Sequence, residues 1–225
     1  MTSHALLPKP RLVARIPSCS RPTSQSLGFT LVEVLVAIMV LSFGMLGLVG
    51  MQAFALQSNR EARLQAQAAM LARELAEMMR GNKEVGVKTT PADNPYIVSL
   101  SSGSMAPATP SYCLSVGNAS TGCTSATDIA NAEMTDWLAR VDNTLPGARV
   151  AICFDSAPYN SNGIPQWDCA PSGATANEIA VIKIGWTRNS TDRSKTGNDV
   201  LEQASSSGSV PYIIFPVTSG NASAI

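Results

Sequence analysis

Gly28-Phe29-Thr30-Leu31-Val32-Glu33 leads directly into Val34-Leu35-Val36-Ala37-Ile38-Met39-Val40-Leu41-Ser42-Phe43-Gly44-Met45-Leu46-Gly47-Leu48-Val49-Gly50-Met51. No charged residue occurs from Val34 to Asn59, and the polarity of Val34–Met51 is broken only by Ser42 and the glycines. With the apolar Ala53–Leu56 region added, such a run can cross a hydrocarbon core of about 30 Å at a helical rise of about 1.5 Å per residue. Glu33 stands at its edge. A carboxylate at that depth is costly and calls for a partner, and a plain membrane anchor has no use for it.

Outward toward the N-terminus, residues 1–28 contain Lys9, Arg11, Arg15 and Arg21 and no acid. Pro8, Pro10, Pro17 and Pro22 prevent a continuous helix there. A basic flank before an apolar span is expected to stay in the cytoplasm. An ordinary secretory signal has a shorter apolar stretch followed by a small-x-small cleavage site, and this run instead continues into a helix. Residues 29–80 contain no proline, and Gln52–Arg80 is rich in Ala, Leu, Met, Gln, Glu and Arg, all good helix formers. Leu64, Ala68, Leu71, Leu75 and Met78 recur at spacings of four and three, which predicts a buried stripe. Gly81-Asn82 is a natural stop. The expectation is one helix from about Phe29 to Arg80, its first half in membrane or filament core and its second half laid on a globular domain. Gly44, Gly47 and Gly50 fit either close helix packing or local unwinding in a filament.

The motif Gly28-Phe29-Thr30-Leu31-Val32-Glu33 strongly resembles the processing site of type IV prepilins and related pseudopilins. The resemblance covers the basic leader, the cleavage glycine, the aromatic first mature residue and the glutamate at mature position five. It implies that a prepilin peptidase cuts between Gly28 and Phe29 and methylates the new amine of Phe29. It further implies that Glu33 neutralises the Phe29 ammonium of a neighbouring subunit in the filament core. Pairing offsets much of the cost of burying either charge alone. The leader, at 28 residues, is long for the class.

Residues 82–225 are expected to form a periplasmic globular head. Thr89–Thr127 is rich in Pro, Ser, Thr and Gly and reads as loop. Residues 129–145 read as a helix with Asp128 as N-cap and Pro146-Gly147 as its end. Arg149–Asp155, Glu178–Thr187 and Val210–Val217 read as strands, the last an edge strand because of Pro211 and Pro216. Arg188–Ser209 reads as a polar connection, and Trp137 and Trp186 as core. The predicted fold is α+β and pilin-like: one long N-terminal helix packed on a small antiparallel sheet domain.

Loss of residues 1–28 removes His4, Cys19 and four basic residues, so 225 residues become 197 and the formal charge moves from zero to −4. Four cysteines remain: Cys113, Cys123, Cys153 and Cys169. They allow three pairings; Cys113–Cys123 and Cys153–Cys169 are favoured because each closes a local loop rich in turn formers. No metal site or cofactor is expected, since there is no C-x-x-C and the mature chain has no histidine. An enzyme is not expected either: every His-based triad leaves with His4, and there is no P-loop, dinucleotide motif or H-E-x-x-H. The balanced charge argues against a nucleic-acid partner.

Four further patches are similar to PilV-type minor pilins: Leu41–Leu48, Leu75–Asn82, Asp136-Trp137-Leu138 with Leu145-Pro146-Gly147, and Val181–Trp186. They imply a minor pilin that helps initiate assembly and is incorporated at or near the pilus tip. The implied partners are prepilin peptidase, other minor pilins, the major pilin and inner-membrane lipid before assembly. The implied location is the inner membrane and then the pilus. A type II secretion pseudopilin shares the processing motif. A membrane-anchored periplasmic enzyme or receptor would instead keep residues 1–28.

Overall fold

A computed structural model describes residues 28–103, 105–171, 179–192 and 194–218. Residues 1–27, with His4 and Cys19, lie outside the described residues, as does Glu178, the expected first residue of a strand. Among the described residues three α-helices, α1 (Leu31–Gly81), α2 (Lys83–Gly86) and α3 (Ala126–Thr144), accompany six strands. The strands are β1 (Val98–Ser101), β2 (Arg149–Phe154), β3 (Ala180–Gly185), β4 (Arg188–Asn189), β5 (Leu201–Glu202) and β6 (Ile213–Val217). The chain divides between Met51 and Gln52 into two units.

In the N-terminal unit, α1 passes through Gly44, Gly47 and Gly50 without a break. All eighteen large apolar side chains from Phe29 to Leu56 are exposed. The Ser42 hydroxyl, the one polar side chain of Val34–Met51, donates to the Ile38 carbonyl at 2.7 Å. That bond keeps it satisfied within the helix, as an apolar environment requires.

In the C-terminal unit, the second half of α1 supplies Ala68, Leu71, Ala72, Leu75, Ala76 and Met79 to the core. They meet Met134, Trp137, Leu138 and Val141 of α3 and one face of the sheet. Each large side chain so buried contributes about 1.5–3 kcal/mol before entropy is counted. Directional bonds set the register: Trp137 Nε1 donates to the Leu71 carbonyl at 2.9 Å, and Arg140 pairs with Glu74 at 2.7 Å. Asn82 Nδ2 donates to the Ala126 carbonyl at 2.7 Å.

The main sheet is antiparallel throughout, in the order β1-β2-β3-β6. Val150, Ile152 and Phe154 of β2 and Ala180, Ile182 and Ile184 of β3 face the helices. Strand β6 is an edge, so Pro216 is tolerated within it.

Three details differ from the sequence reading. The N-cap of α3 is Ser125, whose side chain accepts from the Asp128 amide at 3.0 Å. Asp128 therefore sits three residues inside, and its carboxylate serves Ser111 and Thr124 instead. Strand β1 lies inside the expected loop region, because Val98-Ser-Leu-Ser is too short an alternation to stand out beside so many turn formers. The expected polar connection contains the β4–β5 pair, closed by the Arg188–Glu202 ion pair at 3.1 Å. After α3, Gly147 takes φ +57°, and a Cβ there would lie 2.3 Å from Thr187 Oγ1. Only glycine suits both the turn and that approach.

Candidate functional site

Gly28 and Phe29 precede the first helical residue, Leu31, and Phe29 is exposed. Thr30 caps the helix: its Oγ1 accepts from the Glu33 amide at 3.2 Å, while its carbonyl takes the amides of Glu33 and Val34. Glu33 is thus the third residue of α1, the far member of a Thr-x-x-Glu pattern. Such a residue sits at the electropositive end of the helix, where a carboxylate is favoured. Among the described residues Glu33 makes no ion pair. Thr30 was missed in the sequence reading, although the capping pattern was legible there. Its role is to fix where the helix begins, and so how Glu33 is presented.

Residues 23–49 match the family model described as the prokaryotic N-terminal methylation motif. Residues 50–135 match the one described as Type IV pilin Tt1218. Residues 50–135 are thus similar to a type IV pilin domain. No curated protein and no solved structure matches it significantly. The fold of this pilin-like chain is the α+β arrangement of a long apolar N-terminal helix with a small antiparallel sheet. The matched family is a structural one, not an enzyme family. The methylation motif and, among the described residues, one apolar helix long enough to cross a membrane together fit membrane anchoring followed by assembly into a pilus.

The head of the pilin-like chain is clamped in two places. Cys113 is bonded to Cys123 and Cys153 to Cys169. The first bond closes a loop beside the start of α3, where the Asp128 carboxylate lies near both sulfurs. Disulfide sulfurs are not thiolates and that carboxylate is already hydrogen-bonded, so the cluster offers no ligand set. The second bond ties the 155–171 loop to the sheet face turned away from the helices.

Under that loop lies a feature the sequence reading missed. Lys183 of β3 and Asp155, just after β2, form an ion pair at 2.5 Å with both side chains at 0% exposure. Lys183 Nζ also donates to the Asp168 carbonyl at 2.7 Å. Asp155 Oδ1 accepts from the amides of Ala157 and Ala170 at 2.9 and 3.1 Å. Burial pushes the Asp155 carboxyl up, but Lys183 and these two amides outweigh it and hold the group below its ordinary range. Trp167 covers the same face, packed with Ala151 and Ala204, with the Arg149 guanidinium 4.3 Å from its ring centroid. Gly185 leaves room for that ring.

On the helix side, the Tyr96 hydroxyl donates to Glu133. Burial pushes both groups up; the hydrogen bond to the Glu133 carboxylate and its charge push the Tyr96 phenol up as well, while the same bond partly offsets the effect of burial on Glu133. These contacts hold the head together and do not form a reacting constellation.

Proposed function

We propose that this pilin-like protein is a minor pilin of the PilV type, aiding initiation of the pilus and incorporated at or near its tip. The observation that carries the reading is the joining of the Gly28–Glu33 motif to a helix whose apolar residues from Phe29 to Leu56 are all exposed. Eighteen large side chains moved from water into lipid or a packed filament correspond to a favourable free energy on the order of tens of kcal/mol. The PilV-like patches favour a minor pilin over a type II secretion pseudopilin.

In this reading residues 1–28 form the leader, prepilin peptidase cuts between Gly28 and Phe29, and Phe29 becomes N-methylated. The Phe29–Leu56 segment holds the subunit in the inner membrane, with the head from residue 82 in the periplasm. Extraction into the filament places Glu33 beside the Phe29 ammonium of a neighbour. Other minor pilins and the major pilin are the partners. Glu33→Ala is expected to leave leader removal intact and to reduce surface pili sharply, read by mass analysis of the N-terminus and by pilus counts. Normal piliation, or a chain that retains residues 1–28 beside active prepilin peptidase, would refute the reading. Deletion of the gene that abolishes secretion but leaves pili intact would assign the chain to a secretion system instead.

A further inference from the structure

In the C-terminal unit, Arg60, Arg63, Leu64 and Gln67 of α1 face Asn143 and Thr144 of α3 across an open cleft of about 360 Å³. Arg60 and Arg63 are exposed, and among the described residues neither makes an ion pair. Their spacing of three places them on one helix face. Glu61, between them in sequence, turns elsewhere: its charge acts on Tyr212, and one of its carboxylate oxygens is buried. The end of α3 contributes a partial negative charge of about half an electron, which two full positive charges exceed. Half-buried Leu64 adds an apolar wall.

We propose that this cleft binds the phosphate headgroup of an anionic phospholipid while the chain is membrane-anchored. The inference rests on the anchored state described above. Arg60 follows Leu56, the last residue of the apolar run, by four residues, a rise of about 6 Å. The polar layer on one side of a bilayer is about 5–7 Å deep, so Arg60 falls within it. Arg63 lies one turn farther out, but helical side chains lean toward the N-terminus and a long arginine reaches back. Guanidinium groups bind phosphate through paired N–H donors. The Asn143 amide, one of whose N–H groups is held by the Ala139 carbonyl, faces the same space. An acidic side chain of another pilin is the competing occupant; the position of Arg60 at headgroup depth, with Arg63 able to reach back to it, favours lipid.

The test uses the mature full-length chain in nanodiscs of phosphatidylcholine, with or without phosphatidylglycerol, and native mass spectrometry of the lipid retained on the protein. Each basic residue near an anionic surface strengthens attachment about fivefold, so Arg60→Gln with Arg63→Gln should lower phosphatidylglycerol retention by about thirtyfold. Arg60→Lys with Arg63→Lys should recover part of it, and excess inorganic phosphate should not displace the lipid. An unchanged tryptophan-fluorescence melt shows that the variants are folded. Equal retention by the Gln variant overturns the proposal. So does displacement by inorganic phosphate, which would mark a general anion site. Unchanged retention with lost piliation would give the cleft to a neighbouring subunit. Failure of the chain to co-elute with any disc refutes the anchored state rather than the cleft.

Discussion

Replacing Lys183 with methionine isolates the buried ion pair beneath the 155–171 loop. Lys183 and Asp155 are both shut off from water, and Asp155 holds three donors: Lys183 Nζ at 2.5 Å and two backbone amides. Lys183→Met removes the only charged donor and leaves a carboxylate buried with two neutral ones. It also leaves the Asp168 carbonyl without its cation. Stranding one member of a buried pair costs about 3–5 kcal/mol. For a unit of this size that corresponds to a fall in Tm of about 6–20 °C. The assay is urea and thermal denaturation of the full chain in detergent micelles, followed by the fluorescence of Trp137, Trp167 and Trp186, all buried. Lys183→Met with Asp155→Leu should recover most of the loss, because no charge is then stranded. Acid provides a second readout. The Asp155 carboxyl is held below its ordinary range in the folded state. Its contribution is therefore complete above the unfolded value of about 3.9, and it is lost as pH falls through the lower, folded value. Asp155→Asn should remove that part of the acid sensitivity. A cost below about 1 kcal/mol for Lys183→Met, or a double variant as unstable as the sum of its singles, would refute the reasoning.

Gly185→Ala places a methyl group 2.9 Å from Trp167 Cζ2 and 3.3 Å from Ala204 Cβ. The ring must shift, with a loss of about 1–3 kcal/mol and a changed Trp167 emission in denaturation curves. Ser125→Ala removes the α3 cap bond at 3.0 Å and should cost about 0.5–2 kcal/mol, seen as a lower urea midpoint at constant slope. Paired serine replacement of Cys153 and Cys169 opens a 16-residue separation and that of Cys113 and Cys123 a 10-residue one. Chain entropy assigns each about 3 kcal/mol. The first should cost more in a urea titration, because it also loosens the loop over Lys183 and Trp167.

The Thr-x-x-Glu cap and the uncharged run behind it are local in sequence, and so is the start of the long helix. Helix periodicity is likewise a near-neighbour property, so the Leu64–Met78 stripe pointed to the α1 face that the head buries. The Ser125 cap was equally local, yet Asp128 drew the reading because both residue types suit a cap and only the backbone conformation distinguishes them. Strand β1 could not be read from four residues; pairing with Arg149–Ile152, some fifty positions away, makes it a strand.

The second buried sheet face is the clearest case of a tertiary decision. In β3 the alternation Val181-Ile182-Lys183-Ile184 predicts one apolar face and one mixed face, and nothing in that alternation says what covers the lysine. Residues 155–171 fold back over it, anchored by the Cys153–Cys169 bond and Trp167, and Asp155 comes within ion-pair distance. The sequence alone determined the membrane-length helix, the motif that opens it and the stripe it buries, because those depend on residues within a few turns of one another. Only the tertiary structure decided what covers the far side of the sheet and which charge neutralises Lys183, because burial of a charge depends on segments brought together from distant parts of the chain.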